Sequence, residues 1–318
     1  MRRHRFERIF FVLATLVTLA LLVTALTVSV FREETAQWLQ EDAIREFREN
    51  NPEDASLSDR EILRMLPADT RDDIKSIREL EWWLVALAPL GLLALFVWNI
   101  GQIYGAARAD GIQVTARQFP QVHALWTEMA GQLGFRKVPE LYVQNGNGTL
   151  NAYATCVPGY RAFGVIYSDI LERALANEDE KILRFILGHE LGHIRLKHVA
   201  WWYLLLTSMA NLPGVNYLVG EPLGRAREYG CDRLGYELSD DRECRALLML
   251  AAGKHLYRQV DFGAYEDEQL RVHSRWASLH NFCIDHPVIT WRIAALREGR
   301  DGDLFWHSAY REKDPDAA

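Results

Sequence analysis

Two long apolar stretches dominate the hydrophobic pattern near the amino terminus. Positions 9–30 and 82–100 contain no Asp, Glu, Lys or Arg. A helix rises about 1.5 Å per residue, so each stretch is long enough to cross a hydrocarbon core of about 30 Å. The pattern therefore predicts two transmembrane helices. A cleaved signal peptide is the alternative for the first, but its apolar run exceeds the roughly 7–15 residues of a signal core, and no clear small-x-small cleavage site follows.

Charge predicts the orientation of these helices. Residues 1–8 carry four arginines against one glutamate, and the positive-inside tendency keeps such a segment in the cytoplasm. Residues 31–81 hold 8 Lys and Arg against 15 Asp and Glu, a net charge of −7. We expect an acidic extracytoplasmic loop, for which a solvated, partly helical linker is favoured over a partner-binding module. The whole chain is then expected to be an integral protein of a bacterial inner or plasma membrane, with its larger part cytoplasmic.

Beyond the second helix the periodicity of the chain changes. The pattern divides this part into a connector, a folded domain and a polar tail, at 101–118, 119–298 and 299–318. Apolar side chains between Pro120 and Leu133 recur at helical spacing. Short, partly alternating runs then predict a small antiparallel sheet joined by turns, at 138–144, 150–157 and 162–167. The expected fold class is α+β, mainly helical with this small sheet, after two transmembrane helices.

The stretch 185–194, Phe-Ile-Leu-Gly-His-Glu-Leu-Gly-His-Ile, carries the strongest chemical signal. His189 and His193 are four residues apart, so on a helix they project from one face and can bind one metal ion. Glu190 lies beside such a metal rather than on it, where a carboxylate can take a proton from the attacking water. The spacing is typical of zinc peptidases. Because a catalytic zinc usually has three protein ligands, a further ligand is expected downstream.

Glu228 is the best candidate for the third ligand, 35 residues after His193. Its surroundings read as a helix, which places Asp232 one turn further along the same face. Asp232 is then expected to accept a hydrogen bond from the ring N–H of a ligand histidine, His189 being favoured. Taken alone, this stretch is better explained as an ordinary charged helix. Its position after the histidine pair favours the ligand.

With these motifs in order, the sequence resembles membrane-embedded zinc metallopeptidases of the HtpX and CAAX-prenyl-protease family over roughly residues 110–300. Three further matches carry the resemblance: an Asn-Ala-aromatic-Ala strand, a Glu-x-x-x-Asp element and a His-Pro element. They are formed by Asn151, Ala152, Tyr153 and Ala154, by Glu228 and Asp232, and by His286 with Pro287, Arg292 and Ile293.

The resemblance implies a zincin-like domain that binds one Zn²⁺ per chain and hydrolyses peptide bonds. It implies that the strand at residues 151–154 pairs with an extended substrate, and that His286 stabilises the tetrahedral intermediate. Arg292 either orients Asp232 or another carboxylate of the site, or is an ordinary surface arginine. The implied partners are protein or peptide substrates, membrane-associated or misfolded, together with the lipid bilayer, and the implied role is quality control of membrane proteins. The oligomeric state stays open.

The apolar peptide 199–219 is a special case. By hydropathy it resembles a third span, but one crossing would leave His193 and Glu228 on opposite sides of the membrane, and both must reach one ion. We therefore expect a re-entrant or interfacial hairpin that bends near Pro213 and Gly214, with a buried core helix as the close alternative. Trp201 and its aromatic neighbours are expected at headgroup depth.

Other functional classes receive less support from the sequence. Four cysteines, none in a Cys-x-x-Cys pair, suggest free thiols rather than a disulfide framework or thiolate zinc site. No basic, aromatic-interleaved stretch indicates nucleic-acid binding. His198 lies five residues after His193, about 140° further round a continuous helix, so a structural role is expected for it. The main alternative to a peptidase is a catalytically silent membrane scaffold or regulator. A prenylated-peptide protease would need more membrane segments.

Overall fold

A computed structural model describes residues 3–54, 56–159, 161–176, 179–270 and 274–306. The chain forms two compact units. One unit comprises Leu19–Phe96, and the other combines the residues up to Thr18 with those from Val97 onward. Residues 307–318, most of the predicted polar tail, lie outside the described part of the chain.

Five helices build the amino-terminal third of the chain: α1 (Glu7–Val30), α2 (Arg32–Asn50), α3 (Asp59–Met65), α4 (Ala68–Arg78) and α5 (Trp82–Asp110). Within the described residues, α1 and α5 are the helices long and apolar enough to cross a membrane. Helix α5 continues through residues 101–110, where the sequence predicted a connector. The acidic loop is helical, and α2 and α3 share a small apolar cluster around Ile44 and Ile62.

The larger unit contains a four-stranded sheet: β1 (Ile112–Gln113), β2 (Glu140–Gln144), β3 (Ala152–Cys156) and β4 (Ala162–Tyr167). The strand order is β1-β2-β4-β3. Strand β4 runs parallel to β2 and antiparallel to β3, so the predicted antiparallel sheet was wrong and the sheet is mixed. The physical reason is connectivity, since the chain passes from β2 to the edge as β3 and returns between them as β4.

In the part of this unit that the structure describes, the further helices are α6 (Pro120–Gln132), α7 (Ser168–Ala176), α8 (Glu180–Arg195), α9 (Trp201–Leu206), α10 (Glu221–Ser239), α11 (Arg245–Ala252), α12 (Phe262–Tyr265), α13 (Arg275–Phe282) and α14 (Ile289–Glu298). The fold is mainly helical, as predicted. Helix α8 lies at the centre of the core, and ten of the eleven residues from Ile182 to Gly192 are buried.

The apolar peptide 199–219 is not one continuous helix. Helix α9 is followed by a short 3-10 turn, a bend at Gly214 with φ of 85°, and a π-helical turn that leads into α10. The peptide packs on the first half of α1, where the rings of Phe11 and Tyr203 stack at 4.6 Å. Ala14 and Ala210 belong to one small buried cluster there. The depth of this peptide in a bilayer stays a prediction.

Helices α8 and α10 approach each other across glycines. A Cβ added at Gly235 of α10 would lie 2.5 Å from the carbonyl oxygen of Phe185, and one added at Gly188 of α8 would lie 3.1 Å from the Cα of Gly235. Small residues let helix backbones approach to direct contact. The absence of side chains at these two positions therefore sets the distance between the helices.

This contact generates a stability prediction. Gly235→Ala should destabilise the protein by about 1–3 kcal/mol, because the new methyl group meets backbone that must shift. Thermal unfolding of the purified protein measures the effect. Gly131→Ala on α6 is the control, since its Cβ meets nothing within 4 Å and a helical alanine should be neutral or stabilising by up to about 1 kcal/mol. Equal midpoints for Gly235→Ala and wild type would contradict the close-contact account.

Candidate active site

Helices α8 and α10 bring three potential metal ligands together. The Nε2 atoms of His189 and His193 lie 3.1 Å apart. The two carboxylate oxygens of Glu228 lie 3.2 Å from His189 Nε2 and 3.3 Å from His193 Nε2. One ligand atom from each residue can therefore face a common point. Two imidazoles and a carboxylate are a donor set used by catalytic zinc sites, which leave a coordination position open for water.

Mutual attraction controls the ionisation of these groups. Burial alone would raise the pKa of Glu228, but His189 and His193 outweigh it and hold that pKa well below its usual range. Burial alone would lower the pKa of His189, but Glu228 and Asp232 raise it to about 10. Glu228 is thus a carboxylate. A metal ion bound at this point would take the place of the His189 proton and balance the negative charge of Glu228.

A buried ion pair supports His189 from behind. Asp232, which is fully buried, has one carboxylate oxygen 2.9 Å from His189 Nδ1. Arg292 donates to both oxygens of Asp232, at 2.7 and 2.6 Å. Burial would raise the pKa of Asp232, but Arg292 and His189 keep it below its usual value. An ionised Asp232 accepts the Nδ1–H of His189 and leaves Nε2 free for a metal, and Arg292 is not an ordinary surface arginine.

Glu190 and His286 face the same cleft as the ligand set. Only 7% of Glu190 is exposed, and burial raises the pKa of its carboxyl. The side chain of His286 is 60% exposed, with Nε2 3.6 Å from a Glu228 oxygen. Its Nδ1 lies 2.7 Å from Asp285. Asp285, which sequence reasoning missed, fixes the ring so that Nε2 points toward the site.

The cleft has a volume of about 350 Å³ and is bordered by β3. Strand β3 is at the edge of the sheet, and Asn151, Ala152, Tyr153 and Ala154 all line the cleft. Tyr167 N–H donates to the carbonyl of Asn151. Hydrogen-bonded and non-hydrogen-bonded residues alternate along an antiparallel pair, so Tyr153 is the next residue on β3 whose backbone bonds to β4. The backbone groups of Ala152 and Ala154 therefore point away from β4, along the free edge.

The model of peptidase family M48 matches residues 116–211 and 201–300, which is more than half of the sequence. The chain belongs to peptidase family M48. M48 peptidases are zinc metallopeptidases, and the ligand set, Glu190, His286 and strand β3 all fall within the matched residues.

One curated relative shows how far the similarity extends. The plastoglobule-localized metallopeptidase 48 of the Arabidopsis thaliana chloroplast is 27% identical over 154 residues, which are 45% of this chain and 43% of the relative. The alignment thus spans less than half of the relative's length. No solved structure matches this M48 chain.

The structure places His198 against His193, which sequence reasoning missed. Helix α8 ends at Arg195, and Lys197 adopts a left-handed φ of 63°. The N–H of His198 then returns to the carbonyl of His193, the six-to-one bond of a Schellman motif, which brings these two positions together. Residue 197 is a lysine, so the glycine that usually signals this helix ending is absent. The 140° offset applied only to a continuous helix.

His198 has polar contacts at both ring nitrogens. Its Nδ1 lies 3.3 Å from His193 Nδ1, and its Nε2 lies 3.0 Å from a carboxylate oxygen of Glu7 on α1. Burial lowers the pKa of His198 to about 4, against the effect of Glu7. Cys231 Sγ lies 3.6 Å from His198 Nδ1. These atoms also satisfy the distances of a metal cluster, but burial raises the pKa of Cys231 well above its usual value, which opposes the thiolate that a metal requires. All four cysteines are free, as predicted.

Proposed function

We propose that this M48 protein is a zinc-dependent metalloendopeptidase that hydrolyses peptide bonds of protein substrates. The observation that carries the proposal is the convergence of His189, His193 and Glu228 on one point, with Glu190 beside them in a cleft bordered by a free strand edge. One zinc ion per chain is the cofactor that this donor set fits.

The proposed mechanism assigns a separate task to each side chain. When bound, zinc lowers the pKa of water and polarises the scissile carbonyl. Glu190 takes the proton of the attacking water and returns it to the leaving amine. The hydrogen bond to Asp285 orients His286 and raises its pKa, and the protonated ring donates from Nε2 to the developing oxyanion. Asp232 and Arg292 hold His189 in the tautomer that presents Nε2.

Glu190→Gln tests the catalytic assignment. The variant should lose at least about 100-fold in kcat, the usual contribution of a general base, while its zinc content stays unchanged because Glu190 is not a ligand. Cleavage of one protein in folded and unfolded form, with zinc supplied, gives the measurement. The unfolded form should be the better substrate if the role is quality control.

Glu180→Gln, an exposed substitution on the same helix, is the matched control and should cleave as wild type. Equal cleavage by wild type and Glu190→Gln would refute the assignment. A wild type that binds zinc and cleaves nothing would favour the scaffold or regulator instead. Removal of zinc by a chelator should abolish cleavage, and added zinc should restore it.

The free edge of β3 is the proposed substrate-binding element. An extended peptide can add to a sheet edge through main-chain hydrogen bonds, with side-chain pockets giving selectivity. Ala152 and Ala154 offer outward N–H and C=O groups for this purpose. The motif Asn151–Ala154 and the position of His286 also support a place beside the HtpX and CAAX-prenyl-protease members of the family.

Ala154→Pro tests this strand addition. Proline removes one outward N–H yet is tolerated on an edge strand, so the loss should be about fivefold to tenfold in kcat/KM, mainly through KM, the value of one hydrogen bond. Ala154→Ser keeps the N–H and is the control. Steady-state kinetics on an unstructured peptide provide both constants, and an unchanged KM for the proline variant would count against the proposal.

We also propose that α1 and α5 cross a membrane and that the peptidase unit lies on the cytoplasmic side. The support is the length and hydropathy of both helices, the arginines before α1 and the net charge of −7 between the helices.

Labelling of single introduced cysteines, on a background without the native four, tests this topology. An impermeant maleimide applied to intact cells should label Ser76→Cys in the acidic loop and spare Gln132→Cys and Glu237→Cys, which become reactive after lysis. Gln132 and Glu237 flank the peptide 199–219. If these two positions reported opposite faces, the single metal site would be excluded.

A further inference from the structure

The second metal-facing histidine has a support that reaches outside the matched family region. His193 Nδ1 contacts His198, and His198 contacts Glu7 in the first turn of α1. The side chains of His198 and Glu7 are each 1% exposed. Buried polar groups at these distances act as hydrogen-bond partners, because water cannot replace them.

The direction of each hydrogen bond follows from the chemistry of Glu7. An ionised carboxylate only accepts, so His198 must donate from Nε2. If His193 binds zinc through Nε2, its proton is on Nδ1, and the Nδ1 atom of His198, 3.3 Å away, accepts it. The Nε2 atom of His193 is consequently left without a proton and faces Glu228 and His189. Cys231 is a weaker donor to His198 than an imidazole N–H, and its longer distance leaves this order unchanged.

We propose that Glu7 is a positioning residue of the zinc site, acting through His198 to fix the tautomer and ring orientation of His193. The inference rests on the zinc assignment made above and extends it to a residue of the amino-terminal helix. Glu7 lies 109 positions before the first residue matched by the family model, so the family match does not include it.

The place of Glu7 is itself fixed from two sides. Arg3 pairs with the Glu7 carboxylate and also donates to the carbonyl of Leu196, just after the end of α8. Glu7, His198 and the first half of α1 belong to the same compact unit as the site. Arg3 thus joins the start of α1 to the end of the helix that carries both histidines.

The two ligand histidines therefore have comparable supports. His189 donates directly to Asp232, which is held by Arg292. His193 donates to His198, whose carboxylate partner Glu7 is held by Arg3. In each case a carboxylate and an arginine define the imidazole that presents Nε2. Such outer partners of ligand histidines typically change metal affinity about 10-fold to 100-fold.

The test measures zinc affinity of the full-length protein in detergent, by competition with a chromogenic chelator and without substrate. Glu7→Ala should bind zinc about 10-fold to 100-fold more weakly than wild type. The visible spectrum of the cobalt-substituted protein should also change, because the ring of His193 is reoriented. Arg8→Ala is the matched control, an exposed neighbour in the same turn, and should leave affinity and spectrum unchanged. Wild-type affinity and spectrum in Glu7→Ala would overturn the proposal.

A double-mutant cycle separates positioning from a general loss of structure. Since Glu7 acts through His198, Glu7→Ala combined with His198→Ala should bind zinc as His198→Ala alone, within about twofold. If the two substitutions weakened zinc binding by factors that multiply in the double variant, the proposal would be overturned. If Glu7→Ala does not fold, Glu7→Met preserves most of the side-chain volume and removes both acceptor oxygens, and wild-type affinity in that variant would equally overturn the proposal.

The outcomes also distinguish this inference from the proposed function. A wild type that binds no zinc defeats both. A wild type that binds zinc and cleaves no peptide defeats the peptidase assignment, while the affinity of the Glu7 variants still decides the role of Glu7.

Discussion

Helices α8 and α10 touch along glycine backbone, and that contact brings the candidate metal ligands together. A carboxylate side chain is short, so Glu228 reaches the two imidazoles only when the helix axes lie close together. Gly188 and Gly235 permit this approach, and the core around α8 holds it. The same approach places Asp232, one turn beyond Glu228, behind His189. One packing constraint thus determines both the ligands and the first support.

The site contains several charged groups in the protein interior, where burial of a charge is unfavourable. Glu228, Asp232 and Glu190 are all more than nine-tenths buried, and Arg292 is the buried cation among them. Isolated charges in such surroundings are destabilising unless they are paired. The pairing here is directional, since Arg292 faces Asp232 and the imidazoles face Glu228. Among the described residues Glu190 has no such partner, which suits its proposed task of exchanging protons.

The sequence was informative wherever a short local pattern dictated geometry. The spacing of His189 and His193 predicted a shared face, and the four-residue step from Glu228 to Asp232 predicted two carboxylates side by side, as the structure has them. The helix at Pro120–Gln132 and the three longer strands followed from periodicity. These features depend on one helix or one strand at a time.

Features that depend on distant parts of the chain were not predictable in this way. Strand β2 pairs with β4 in parallel because β4 lies between β2 and β3 in the sheet. The alternation of side chains within a strand does not show which strand will be its neighbour. The contact between His198 and His193 was not predicted, because α8 is followed by a left-handed Lys197 at a position where glycine is the usual signal. In the sequence, Glu7 and Arg3 contributed only their charges to the predicted orientation of the first helix, because no local pattern indicates a contact with α8.

The span of the Glu7 contact has a consequence for how the site forms. Asp232 and His189 are 43 positions apart, whereas Glu7 and His198 are 191 apart. Closing the longer loop costs at most about 1.3 kcal/mol more in chain entropy, and less where the helical unit at 19–96 has already folded within it. The support of His189 is therefore the more local contact, whereas that of His193 joins the first turn of α1 to the chain just after α8. On the proposed role of Glu7, tight metal binding depends on a contact that local structure alone does not provide.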